Sequence, residues 1–493
     1  MSAARRLRSV VVRGLLACVG LLVALALAWA ASNHRWTDTD ARPQPVALQL
    51  TPPTVAEDAN AYFALMGLQA PAGQAPRAFG LRRWHQSQAG VQEESPGAAE
   101  WQTAAAGPAH AAWNCNAAET DCVVQWWGQA DGLTQAMAGS LPGERCEQLA
   151  QPGLAFEEAL PTPSPVLRGP QDSFARRLLA PGLAQAARCQ RWLQVSAVLA
   201  ARRGEPALML QRLQQVQALT DACLSGARSL VGTMGAATMA QRHWHVVTDL
   251  AQRLPGMTAQ LAPLIAPLPA AATDARHWMR FEAAFGREMV REMTEMPTGS
   301  PQPEAIAPAT DLAGTLRDAV LLRHFFLPQA TQQAFDRFWT AALDKAGTDP
   351  LALVDWDVHA DAPQWGRRVP LVWRNTLGQL FLDTGVDSYA DYARRQANLL
   401  LFHTAVQLAL AARDVPADQR GQWLRQQPMD ERLRERLDLE AGAVKARGWA
   451  TGRATDTATF PIPSGGSAVM APSSLSHLSP AATHNAVADH LKG

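Results

Sequence analysis

Leu183 to Gly226 reads LAQAARCQRWLQVSAVLAARRGEPALMLQRLQQVQALTDACLSG. Two helices joined by a tight turn account for that pattern. In the first, about residues 183 to 202, Cys189, Trp192, Leu193, Ser196, Leu199 and Ala200 recur at helical spacing and share one face. Pro181-Gly182 interrupts the chain before it, and Arg203-Gly204-Glu205 supplies the connection after it. Pro206 suits a first helical turn, where its missing N–H costs nothing. The second helix sets Met209, Leu213, Val216, Thr220 and Cys223 on one stripe. A third covers about 227 to 253 and stops before Pro255. Connections this short favour antiparallel neighbours, so a helical bundle or a short α-solenoid is expected, in a chain of mainly α class. The sequence has no fixed repeat period.

Toward the C-terminus, a further helix is expected over 274 to 296. A proline-bearing linker from Met296 to Pro308 then suggests a boundary between a helical domain, 57–296, and a C-terminal helical region, 309–449. Helices are expected at 309 to 326 and 330 to 346, with an irregular stretch over 347 to 375. Ser388 with Asp391 resembles a capping box and predicts a helix from there to Arg413. Its middle, Ala397 to Leu410, is apolar nearly all round and should be buried. From Ala450 the chain is rich in Thr, Ser, Pro, Gly and Ala, which predicts a disordered tail, 450–493.

Toward the N-terminus, Ala59, Tyr62, Phe63 and Met66 mark a short helix over 57 to 68, and residues 70 to 112 read as loops with short helices. Residues 32–56, with Pro43, Pro45, Pro52 and Pro53, read as a stalk. Before it lies an uncharged run from Gly14 to Ala31, just long enough to cross a bilayer core of roughly 30 Å. Arg5, Arg6, Arg8 and Arg13 precede the run and place that end in the cytoplasm. Residues 1–31 are therefore expected to be a basic stub and a transmembrane signal anchor. Ala28-Trp29-Ala30 offers a rival signal-cleavage site, but the apolar run is longer than a typical signal segment.

Basic and acidic side chains number 44 each, so no basic stripe wraps nucleic acid, and no nucleic-acid partner is expected. Beyond the apolar run the chain has five cysteines, Cys115, Cys122, Cys146, Cys189 and Cys223, an odd number that leaves at least one without an intrachain partner. Cys115 and Cys122 are the expected disulfide. Asn, Thr and Asp between them favour a turn, which can bring the Cα atoms within bonding range, whereas a helix would hold them roughly 10.5 Å apart. Cys146 competes for either partner. Cys189 and Cys223 sit on apolar faces and are expected to stay buried thiols.

Common catalytic and phosphate-binding motifs are missing, including G-x-S-x-G, the P-loop, H-E-x-x-H, S-x-x-K and C-x-x-C. The best constellation is Asp355-Trp356-Asp357-Val358-His359-Ala360-Asp361. In an extended chain Asp355, Asp357, His359 and Asp361 share one face and would suit a divalent cation. It is not an EF-hand: Ala360 and Gly366 stand where the turn glycine and bidentate glutamate belong. His243 and His245, two apart on a helix, diverge too far to share an ion. Glu288, Glu292 and Glu295, interleaved with Arg287 and Arg291, read as a wet helical surface. The opposite face, with Trp278, Phe281, Phe285, Met289 and Met296, reads as core, with a binding groove as its alternative. Trp126-Trp127 is the pair to inspect for an exposed platform.

The layout resembles an uncharacterised group of single-anchor, mostly helical bacterial envelope proteins of unknown function. The matching stretches are Asn60-Ala61-Tyr62 with Gly67, Cys115 to Cys122, Ser229-Leu230 with Met234, Asn375-Thr376-Leu377-Gly378, and Tyr389 with Tyr392. The resemblance implies a single-pass inner-membrane protein with a periplasmic body, and carries over no catalytic residue and no cofactor. The preferred expectation is an interaction or structural protein that binds an envelope protein or the cell wall. The alternative is a metal-dependent or hydrolase-like enzyme using the Asp355 to Asp361 segment.

Overall fold

The computed structural model describes residues 3–88, 115, 121–137, 141–161, 182–295, 324–347, 349–361, 374–440, 442–449 and 456–463. The chain is mainly helical. Helix α1 (Ala3–Asn33) contains a segment, Val12–Asn33, of mean hydropathy 2.4, which is exposed over residues 12–28 and is long and apolar enough to cross a membrane. The body begins with α2 (Ala61–Met66), whose N-cap Asn60 accepts from Tyr62 N, and α3 (Pro76–Gln88). Gly67 and Gly80 let these two meet: a Cβ on Gly80 would lie 1.8 Å from the Phe63 carbonyl oxygen. Then follow α4 (Cys122–Gly128), α5 (Ala130–Met137), α6 (Leu141–Leu149), α7 (Gly182–Arg202), α8 (Pro206–Gly226) and α9 (Leu230–Arg253). The last three are the helices expected from Leu183 onward, with Gly204 at φ 71 in the first turn between them. Met209, Leu213, Val216, Thr220 and Cys223 are all buried, so the apolar stripe of α8 is core.

Helix α10 (Arg276–Glu295) packs on α11 (Pro328–Ala346), and both pack on α12 (Thr376–Ala411), whose 36 residues span about 54 Å. Helix α12 unites two cores. Its first half, with Leu382, Val386, Ala390 and Ala393, joins Trp278, Met279, Phe338 and Trp339. Its second half, Ala397 to Leu410, joins α2 and α4 to α9. Gln396 stands at the border, accepting from Trp278 Nε1 at 2.9 Å and donating to the Ala272 carbonyl at 3.1 Å. A short helix α13 (Arg420–Gln426) leads to an antiparallel sheet of β1 (Leu437–Glu440), β2 (Ala443–Arg447) and β3 (Thr457–Pro461), ordered β1-β2-β3. Val444 pairs with Leu439 and Phe460, and Val444 and Phe460 are wholly buried.

Several expectations are corrected. The proline-bearing linker does not separate two domains: α10, before it, shares a core with α11 and α12, after it. Helix α12 starts at Thr376, not at Ser388. Ser388 lies inside it and donates to the Gly385 carbonyl. Gly378, Thr384 and Gly385 weaken local helix propensity there, and packing against α10 and α11 overrides it. The C-terminal helical region, 309–449, includes two strands, β1 and β2. The expected tail begins too early, because β3 completes the sheet; residues 464–493 lie outside the described set. The stalk, finally, is stitched to the body. Asp38 accepts from Gln329 N and Ala330 N at the start of α11, Arg280 donates to the Ala47 carbonyl, Leu48 is fully buried, and Glu157 accepts from Thr54 N and Val55 N.

Candidate functional site

Helix α1 is joined directly to the body. Trp29 Nε1 donates to Thr376 Oγ1 at 3.0 Å, and Asn33 Oδ1 accepts from Thr376 N at 3.1 Å. Trp29 also stacks on Phe325, with ring centroids 5.6 Å apart. Asn375, the N-cap of α12, sits at φ 57, a left-handed conformation that asparagine tolerates. Its Oδ1 accepts from Thr331 Oγ1, and a Cβ on Gly378 would lie 2.0 Å from that hydroxyl. The first turn of α12 is thus locked between α11 and the end of α1.

Further along α12 a cleft of about 200 Å³ opens between the three helices of the second core. Phe285, Gly286 and Met289 form its α10 wall, Phe335 and Phe338 its α11 wall, and Leu382, Gly385, Val386 and Tyr389 its α12 wall. Two helical glycines shape it differently. A Cβ on Gly286 would press on Phe335 at 2.8 Å, so this glycine permits close approach of α10 and α11. Among the described residues a Cβ on Gly385 would find nothing nearer than Tyr389 at 4.0 Å, so this glycine leaves space there. The Tyr389 hydroxyl donates to Glu282 Oε2 at 3.2 Å. Burial pushes the Glu282 carboxyl up to about 7, partly offset by that hydrogen bond. Arg287 and Asp336, paired at 2.5 Å, bind α10 to α11 beside the cleft.

A second polar cluster ties the other end. Glu158 accepts from Arg228 N, Ser229 N and Ser229 Oγ, and Ser229 caps α9. Glu157 pairs with Arg228 at 3.0 Å, while Asn60 bonds the Glu157 backbone in both directions. Every oxygen here is engaged in joining elements, a structural role.

The Asp355 to Asp361 segment does not form the extended face expected of it. It turns into a single helical turn, Val358–Asp361. Asp361 is taken by Lys345 at 2.6 Å and Trp356 Nε1 at 2.8 Å, Asp357 accepts from His359 N, and Asp355 and Asp357 face solvent. Among the described residues no group of three or more His, Cys, Asp or Glu is placed to hold a metal ion. His243 bonds the Leu264 carbonyl, and His245 stacks on Phe460, so the two diverge. Glu288 and Glu292 are buried, 6% and 4% exposed, which corrects the wet-surface reading of that face. Glu288 is ion-paired to Arg291. Trp126 is fully buried and Trp127 lies under Arg253, so the tandem is no platform.

The expected face of α10 divides. Trp278 and Phe281 are core, whereas Phe285 and Met289 line the cleft, and Met296 lies outside the described residues. The α12 and α11 walls went unrecognised in the sequence; Gly385 within an apolar helix was the signal that marks them. Cys115 and Cys122 lie at disulfide distance, Cα atoms 5.5 Å apart. Cys189 is not a free thiol: it pairs with Cys146 across 43 positions, because α6 packs on α7. Cys223 remains a buried thiol. No protein-family profile, no curated protein and no solved structure matches the chain.

Proposed function

We propose that this is a single-pass bacterial inner-membrane protein with a periplasmic body that binds an apolar ligand in the α10–α11–α12 cleft, acting by interaction rather than by chemistry. The observation that carries the reading is the cleft itself: among the described residues its walls are aromatic, aliphatic and thioether with one hydroxyl, and Gly385 holds it open. An apolar pocket with few polar groups is the common form of a small-ligand site. The lining favours an apolar group over a wall polymer rich in hydroxyls. Arginines before the anchor support a body on the outer side, and two cysteine pairs at bonding distance suit an oxidising compartment.

The test places a photoreactive benzoylphenylalanine at Met289 in living cells, with the exposed Val231 as control. The expected result is an adduct of defined mass from position 289 alone, suppressed by Gly385→Leu, which fills the cleft. No adduct, or the same adduct from both positions, contradicts the reading.

A further inference from the structure

We infer that the ligand of this cleft is a long acyl chain, supplied by a lipid of the membrane in which α1 is anchored. The inference rests on the binding reading above and adds the chemical class and source of what is bound.

The walls exclude most other classes. Among the described residues they carry no charge, and the hydroxyl there, on Tyr389, directs its proton to Glu282 rather than into the cleft. A nucleotide or a sugar would leave its polar groups unpaired there, at a cost that an unbranched hydrocarbon does not meet.

The position points to the bilayer as the source. Thr376 opens α12 and is bonded to Trp29 in the last turns of α1. Around this joint gather Phe325, stacked on Trp29, and His34, whose ring lies 4.1 Å from that of Trp36. Trp36 is 77% exposed. Aromatic rings gathered at the end of an apolar spanning helix mark the boundary between bilayer and water. Helix α12 therefore starts at headgroup level. Leu382 and Tyr389 follow Thr376 by six and thirteen residues, about 9 and 20 Å along the helix. A lipid tail has the matching reach, since one leaflet of hydrocarbon is about 15 Å deep.

Gly385 adds an independent observation. Glycine is a poor residue for the middle of a helix. Gly286 and Gly378 are explained by close neighbours, but among the described residues a side chain at Gly385 would meet nothing nearer than 4.0 Å. The space it leaves is cleft, and Met289 opposite supplies a wall that adapts to a flexible chain.

The test uses the full chain in phosphatidylcholine vesicles containing a phospholipid with a diazirine near the end of one acyl chain. After irradiation the labelled peptides are mapped. Label is expected on α1 and, separately, on peptides bearing Met289 or Leu382 to Tyr389. Gly385→Leu should reduce the cleft label at least tenfold while leaving the α1 label unchanged. Met289→Trp, which narrows the cleft from α10, should act the same way if the first variant folds poorly. Label confined to α1, or cleft label indifferent to both variants, overturns the inference. Labelling by a free diazirine fatty acid but not by the phospholipid overturns the membrane source. A non-lipid adduct from Met289 in cells, with no phospholipid label in the cleft, leaves the binding reading standing and overturns this one.

Discussion

The indole of Trp29, near the end of the apolar helix α1, donates to the hydroxyl of Thr376 across 347 positions of sequence. With Asn33 bonded to the same residue, α1 is joined to α12, the longest helix among the described residues of the body. The segment that follows α1 lies along the body, bonded to it at Asp38, Ala47, Thr54 and Val55.

Breaking that joint should free the segment. In Asn33→Ala the Thr376 amide loses its acceptor, at a cost of about 1–2 kcal/mol. We expect amide hydrogen exchange to rise at residues 374–378 and through 34–48, with the α8–α9 core unchanged. Unchanged exchange over 34–48 would show that the segment is held by its other bonds alone.

Glu158 is a sharper test of the body. Glu158→Ala leaves two backbone amides and the Ser229 hydroxyl without their acceptor beside a helix cap, and should cost roughly 3 kcal/mol, read as a lower melting temperature in detergent. Glu158→Gln keeps the shape and one acceptor oxygen and should recover part of the loss. If Glu158→Ala melts like the wild type, the cluster is not a structural tie.

Stability should depend on pH in a defined way. Glu282 is raised from 4.5 to about 7, so the native state keeps a proton that the unfolded chain releases; stability falls as pH rises through that window. Asp249, also raised to about 7, acts with the same sign. His243 and His403 are lowered from 6.5 to about 4, so the unfolded chain gains protons first on acidification and stability falls below pH 6.5. Above that pH only the carboxyls still act. We expect Glu282→Gln to gain about 1–3 kcal/mol at pH 8 and to flatten the fall between pH 6.5 and 8. An identical slope in the variant would mean that Glu282 is ionised in the native state.

The two cysteine pairs should differ in weight. The loop closed by Cys146 and Cys189 is longer than that closed by Cys115 and Cys122, 43 against 7 positions. Loop entropy assigns them about 4 and about 2.5 kcal/mol, less any strain. Unreduced peptide mapping should return both pairs, and Cys146→Ser should lower the melting temperature more than Cys115→Ser. A Cys122–Cys146 peptide would contradict the pairing.

What the sequence made legible followed from local physics. The Leu183 to Arg253 helices carry strong periodicity, a glycine turn and Pro206, and their boundaries fall within a few residues of expectation. The first half of α12 was missed because Gly378, Thr384 and Gly385 argue against a helix until α10 and α11 supply the packing. The docked segment 32–56 was read as a stalk because prolines forecast an extended chain but not what it lies against. Cys189 was misjudged because an apolar helix face looks the same whether it covers a thiol or a disulfide. Two of the three residues of the α10 wall are visible in the sequence, Phe285 and Met289. The rest depends on α12 reaching α10 across 100 positions, which no local pattern reports.

The depth of Leu380 in the membrane interface tests the seating of the body most directly. Leu380 is 60% exposed, one turn beyond Thr376. A bimane label at Leu380→Cys, in a Cys18→Ala background so that the anchor thiol is not labelled, is followed in vesicles containing lipids with spin labels at the headgroup or high on the acyl chain. A body seated on its anchor gives strong quenching at residue 380 and much weaker quenching from the same lipids when the label is moved to exposed Val231. Equal, weak quenching at both positions would place the start of α12 away from the bilayer and contradict the seating.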